Sequence, residues 1–207
     1  MNRRGFLQRA MAGGTVVACA GAPYGLSAML APAVKPPVRN HVPLPGALRD
    51  ASAFAEACIG CALCGEVCPP RCVRFHRRDG GGAVNTPYID PTDRACILCG
   101  KCMAACPTEA LTPTPIHEID MGVAVIDRMA CYPWVDRGVC GACVSVCPLG
   151  ERAIGFAFAN MYRPVVADGC VGCGLCVEVC PHPSRPIWIV DRALARAARM
   201  PGGEKAS

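Results

Sequence analysis

From Ala10 to Val34 the chain carries no charged side chain, although Gly and Pro interrupt the stretch and weaken it as a spanning helix. Beyond it, the apolar pattern is short-ranged. Ala51 to Ala57 reads as a short helix. Tyr88-Ile89-Asp90, Val123-Ala124-Val125-Ile126-Asp127 and Arg163-Pro164-Val165-Val166-Ala167-Asp168 read as small strands. Asp191 to Met200 fits a helix with Arg192, Arg196 and Arg199 on one face and Leu194, Ala197 and Ala198 near the other. Longer apolar periods are scarce and only 5% of residues are aromatic, so a conventional hydrophobic core looks thin. Something besides side-chain packing must hold the remaining length of about 170 residues together.

The cysteines supply it. Sixteen of the 18 fall into four runs. Three share the spacing Cys-x2-Cys-x2-Cys-x3-Cys-Pro: Cys58, Cys61, Cys64 and Cys68; Cys96, Cys99, Cys102 and Cys106; Cys170, Cys173, Cys176 and Cys180. The third run in chain order stretches its first gap and reads Cys131, Cys140, Cys143 and Cys147. This spacing is the signature of a [4Fe-4S] site, because a short loop wraps three thiolates around one cube while the fourth comes from elsewhere. In two-cluster proteins the last cysteine of each run ligates the other run's cluster, so clusters come in pairs. Gly60, Gly65, Gly100, Gly141, Gly172 and Gly174 let backbone N–H groups approach the sulfurs. Four [4Fe-4S] clusters are expected, with these sixteen cysteines as cofactor and metal ligands and no catalytic residue.

Other cysteine chemistries fit poorly. Structural zinc uses two Cys-x2-Cys pairs set a dozen or more residues apart, not four cysteines in one tight run. Cysteines three apart on such a loop make poor disulfide partners. No Cys-x-x-Cys is followed by His, which excludes a c-type haem. Cys72, four residues past Cys68, falls outside the run spacing and reads as a bystander. His41, His76, His117 and His182 show no catalytic or metal spacing, and neither a nucleophile triad nor a phosphate-cradling loop is present.

The start, Asn2-Arg3-Arg4-Gly5-Phe6-Leu7-Gln8, resembles a twin-arginine export signal, a route for proteins already folded around their cofactors. Imperfect Ala-x-Ala sequences at Ala20-Gly21-Ala22 and Ala31-Pro32-Ala33 leave open a cleaved signal or a retained anchor; Cys19 reads as a small apolar residue of this segment. Residues 34–50 form a Pro-rich linker, residues 51–190 a four-cluster domain, and residues 191–207 a basic helical tail with a disordered end. The formal charge of +5 falls to +2 without Arg3, Arg4 and Arg9, and four oxidised clusters would bring it to roughly −6. No basic patch is interleaved with aromatics, so no nucleic-acid partner is expected. The insertion from Tyr132 to Val139 is expected to cover or tilt the third cluster, with Trp134 packed over it or contacting a partner. Arg77-Arg78-Asp79-Gly80-Gly81-Gly82 reads as a turn or flexible loop. The arginine face of the tail reads as solvated, or as a docking face for an acidic partner or anionic lipid.

The four repeated units imply an α+β fold of small, loop-rich tandem bacterial-ferredoxin modules, two pseudo-symmetric 2[4Fe-4S] units. Leu44-Pro45-Gly46-Ala47-Leu48 before the first run, Asn85-Thr86-Pro87-Tyr88 before the second, Met121-Gly122-Val123-Ala124-Val125, the stretched third run, Cys170-Val171-Gly172-Cys173-Gly174 and the export signal together resemble the NapG/MauM ferredoxin-type proteins over nearly the whole chain. That resemblance implies a periplasmic electron-transfer protein. It would take electrons from a membrane-bound iron-sulfur quinol-oxidising protein toward a periplasmic redox enzyme or cytochrome, in nitrate reduction or methylamine utilisation. A maturation factor for a periplasmic enzyme and a molybdoenzyme's cluster subunit are the alternatives. Near-equal linkers leave the pairing of runs open. A likeness to the four-cluster subunits of molybdoenzymes favours a nested scheme, in which Cys68 serves the fourth run's cluster, Cys180 the first's, and Cys106 and Cys147 exchange between the middle two.

Overall fold

The structure, a computed structural model, describes residues 41–77 and 84–198. The segment expected to be an export signal, most of the loop from Arg77 to Gly82 and the end of the tail lie outside the described residues.

The first helix, α1 (Ala51–Ala57), starts where the Asp50 side chain accepts from the Ser52 backbone N–H, satisfying one orphan amide of the first turn. It delivers Cys58 in an extended conformation. Each run then bends into a single helical turn: α2 (Leu63–Glu66), α3 (Lys101–Ala105), α4 (Ala142–Ser145) and α5 (Leu175–Glu178). In the three evenly spaced runs the turn is preceded by two left-handed residues, Gly60 and Ala62, Leu98 and Gly100, Gly172 and Gly174. Alternating left-handed residues swing successive N–H groups toward the inside of the loop. The stretched run departs here, since Gly141 before α4 has φ −132°.

Strand β1 (Val73–Phe75) pairs antiparallel with β2 (Pro87–Ile89) between the first two runs. The strands β4 (Ile154–Ala159) and β5 (Met161–Val166) form a hairpin between the last two, turning at left-handed Asn160. Strand β3 (Val123–Ile126), ahead of the third run, pairs with β6 (Ile187–Val190), which follows the fourth, in the register Val123 to Val190. The first half repeats this closure more weakly: Ala47, ahead of the first run, bridges to Leu111, which follows the second. Each half thus runs from an outer segment through a run, a hairpin and a run to a closing segment, and the outer and closing segments are strands only in the second half.

The expected helix over Ala51 to Ala57 is present, as are strands at Pro87–Ile89 and Val123–Ile126. The strand expected from Arg163 begins two residues earlier and is one arm of a hairpin. The last helix, α6 (Arg192–Ala198), lies within the expected tail. Its arginine face is not simply solvated: Arg192 pairs with Asp120 at 3.0 Å and donates to the carbonyls of Gly122 and Cys170. The end of the Pro-rich stretch is likewise no free spacer. Leu44 and Pro45 are fully buried and Val42 exchanges hydrogen bonds with Ile89, because this segment packs along the edge of β2.

One contiguous buried cluster runs through both halves, including Val42, Leu44, Ile89, Met103 and Leu111 in the first and Met121, Ala124, Val171, Val177 and Ile189 in the second. Buried thiols are interleaved with it: Cys64, Cys72, Cys96, Cys102 and Cys176. The apolar residues are mostly short, so the packing wraps around the thiols instead of forming a separate layer.

Candidate metal centres

Four small concavities of about 320 to 370 Å³ are each lined by apolar side chains and by cysteines from two runs. Cys58, Cys61 and Cys64 share the first with Cys106. Cys96, Cys99 and Cys102 share the second with Cys68. Cys131, Cys140 and Cys143 share the third with Cys180, and Cys170, Cys173 and Cys176 share the fourth with Cys147. All sixteen run cysteines are placed, and none is left over.

This grouping is sequential: the first run exchanges its last cysteine with the second, and the third with the fourth. The nested scheme expected from the molybdoenzyme likeness is not what the fold builds. The closing segments explain why. The bridge from Ala47 to Leu111 and the β3–β6 ladder each shut a half around two consecutive runs, which keeps Cys68 and Cys106 in one half and Cys147 and Cys180 in the other.

The donor set suits a cube of iron and sulfide. A tetrahedral zinc site would draw its thiolates to about 3.8 Å from one another. Among the described residues no three Cys, His, Asp or Glu side chains converge closely enough for a single ion; the thiols stand around a space. Burial pushes the Cys64 and Cys143 thiols up to about 11 and those of Cys102 and Cys173 up to about 12. Burial drives Cys176 upward too, with the neighbouring Cys173 and Cys170 adding to it. Thiolates in such surroundings need cationic iron beside them.

Backbone amides reach the sulfurs. Leu98 N–H donates to Cys96 Sγ at 3.3 Å, and Ala124 N–H to Cys170 Sγ at 3.5 Å. Cys106 Sγ lies 3.5 Å from Thr108 Oγ1. Donors of this kind offset negative charge on a cluster and set its potential.

The concavities adjoin in a definite order. Cys96 N–H donates to the Cys173 carbonyl at 3.1 Å, and Ala95 N–H to Glu178 Oε2 at 2.7 Å. Arg185 Nη1 donates to the Thr92 carbonyl across the same seam. The halves therefore meet through the second and fourth runs, with the first and third runs at the outer ends.

Two sequence readings change. Trp134 lines none of the four concavities. Its Nε1 donates to the Pro164 carbonyl at 3.1 Å, Arg128 stacks on the ring at 4.2 Å, and the indole sits in a separate groove with Trp188 and Val190. What the insertion gives the third run is its backbone, since the Trp134 N–H reaches the Cys131 carbonyl at 2.9 Å. Cys72 is the residue that spacing undervalued. It is 3% exposed and lines the second concavity, its Sγ 3.5 Å from Cys68 Sγ. The neighbouring Cys72 lowers the Cys96 thiol below its ordinary value, while Cys96 and burial drive the Cys72 thiol upward. The histidines carry no metal grouping, though His41, His76 and Tyr88 stack together, with His41 3.8 Å from Tyr88 between ring centres.

Comparison with known proteins gives the same picture. A family model described as a 4Fe-4S dicluster domain matches residues 57–110 and again 95–151, and a second of the same description matches 124–181. The outer two matches, 57–110 and 124–181, divide the runs as the concavities do. A methylamine utilization ferredoxin-type protein MauM of Methylobacillus flagellatus is 39% identical over 116 residues, covering 53% of this chain and 48% of its own length. Ferredoxin-type protein NapG of Haemophilus influenzae is 38% identical over 124 residues, 56% of this chain and 44% of its own. For NapG of Escherichia coli the figures are 30% over 186 residues, 82% and 77%. The chain spans about half the length of the first two relatives. Among the described residues no helix is long and apolar enough to cross a membrane. With two dicluster domains carrying four [4Fe-4S] clusters, and MauM and NapG relatives of 30 to 39% identity, this iron-sulfur electron-transfer chain belongs to the NapG/MauM family.

Proposed function

We propose that the protein is a periplasmic relay, exported folded by the twin-arginine route, that passes electrons singly from a membrane-bound iron-sulfur quinol-oxidising protein to a periplasmic redox enzyme or cytochrome. It makes and breaks no substrate bonds. The observation that carries this reading is the set of four cysteine-lined concavities adjoining in the order first, second, fourth, third. Cys58, Cys61, Cys64 and Cys106 would hold one cluster; Cys68, Cys96, Cys99 and Cys102 the next; Cys147, Cys170, Cys173 and Cys176 the third along the path; Cys131, Cys140, Cys143 and Cys180 the last. A bound [4Fe-4S] group supplies a one-electron centre whose potential follows its surroundings.

Hydrogen bonds between the halves support this order. The seam from Cys96 to Cys173 supports a path with the second and fourth runs inside it. At one end Cys61 is exposed, flanked by exposed Ile59 and Leu63; at the other, exposed Val139 precedes half-buried Cys140; within the path Cys99 is exposed too, beside exposed Ile97. Apolar residues beside an accessible thiol suit brief docking of a redox partner. The common order of elements in the two halves supports reading them as pseudo-symmetric 2[4Fe-4S] units.

The MauM relatives, named for methylamine utilization, support a second reading of the same carrier as an electron donor in maturing a periplasmic enzyme. Anaerobic capture of the tagged protein from mildly solubilised membranes tests the relay. A polytopic iron-sulfur membrane protein, with about 16 iron atoms per chain, is the expected result. Recovery of a soluble enzyme precursor alone would favour maturation, and little iron would overturn both.

A further inference from the structure

The second concavity is lined by five cysteines where a cube has four corners to fill. Cys68, Cys96, Cys99 and Cys102 match the pattern of the other three sites. Cys72 is the fifth, brought back by a tight turn: Arg71 is left-handed at φ 53° and its N–H donates to the Cys68 carbonyl at 3.0 Å. Its sulfur ends 3.5 Å from Cys68 Sγ, with 3% of the residue exposed.

We propose that Cys72 is a positioning residue for the second cluster, donating its S–H hydrogen bond to the Cys68 sulfur so that this centre is more easily reduced than it would otherwise be. The inference rests on the ligand assignment above. Ligand thiols are deprotonated and can only accept, so in the loaded protein the donor of the 3.5 Å contact must be Cys72. Reduction adds one electron and one negative charge to the cluster. A donor at a ligand sulfur favours the reduced form, and the proton stays on Cys72 throughout. No other concavity holds a fifth cysteine, so the effect singles out one centre. That centre stands at the seam between the halves.

The test is an anaerobic redox titration of the intact holoprotein followed by electron paramagnetic resonance, with iron counted on each sample. Cys72→Ala and Cys72→Val both remove the donor, and Val refills the space; Cys72→Ser keeps a donor. The expected result is about 16 irons in all four proteins and one midpoint of the four lowered in the Ala and Val variants. The ratio of reduced to oxidised centre should shift about tenfold, or about 59 mV for one electron, and Ser should recover most of it. Four unmoved midpoints would overturn the proposal. So would loss of about four irons from both Ala and Val variants, which would make Cys72 a ligand. Far fewer than 16 irons in the unsubstituted protein would instead overturn the ligand assignment on which the inference stands.

Discussion

The backbone N–H of Cys96 donates to the carbonyl of Cys173 at 3.1 Å, so the opening cysteine of the second run is tied directly to the second cysteine of the fourth. Gly174 sits next to this bond with φ +85°, and a Cβ placed there would overlap Pro91. Gly174→Ala should therefore cost about 1 to 2 kcal/mol for the left-handed backbone, with the clash in addition, and should loosen the seam. The expected outcome is slower redistribution of electrons between the halves after flash reduction, at an unchanged iron count. Unchanged redistribution would show that the seam is not the path.

Trp134→Phe should remove the bond to the Pro164 carbonyl and weaken the packing of the indole between Arg128 and Arg163. A loss of about 1 kcal/mol is expected, read as earlier unfolding in denaturant. Because the ring lines none of the cysteine concavities, all four midpoint potentials should stay where they were. A shifted midpoint would return Trp134 to the role that the sequence suggested for it.

Acid should loosen the bridge between Val42 and Ile89. Burial, with His76 beside it, lowers the His41 pKa below its ordinary 6.5, only partly offset by Asp90. A depressed folded-state pKa means that the unfolded chain binds the proton more readily. The stability that neutral His41 contributes is present above pH 6.5 and is lost as pH falls through the folded value. Hydrogen exchange at Val42, whose N–H donates to the Ile89 carbonyl at 2.8 Å, should accelerate below pH 6 beyond the intrinsic trend. His41→Phe should remove that excess.

Removing iron should unfold most of the chain. The contiguous core is interleaved with thiols, and burial holds several of them far from ionisation, so apoprotein loses both the cross-links and the reason for the loops to close. Circular dichroism should lose most of its structured signal after chelation. A well-folded spectrum at that point would show that apolar packing alone suffices.

The cysteine runs were legible because the spacing of a cubane loop is local, and α1 and β3 because capping and short apolar pattern are local too. β4 was not, since four of its six residues, Phe156 to Ala159, are exposed and leave no alternation to read. The pairing of runs was illegible for a different reason. It is set by contacts far apart in sequence, Ala47 with Leu111 and Val123 with Val190, while the linkers between runs are nearly equal. Cys72 reads as a bystander in the sequence because spacing describes ligands, and its place depends on how the turn through Arg71 folds back.

Sequential pairing is tested most directly by cysteine alkylation of the intact Cys68→Ala protein under anaerobic conditions, mapped by mass spectrometry. Labelling that newly appears at Cys96, Cys99 and Cys102, while Cys170, Cys173 and Cys176 stay protected, is the result expected when the first run completes the second run's cluster. New labelling at Cys170, Cys173 and Cys176 instead would contradict it and restore the nested arrangement.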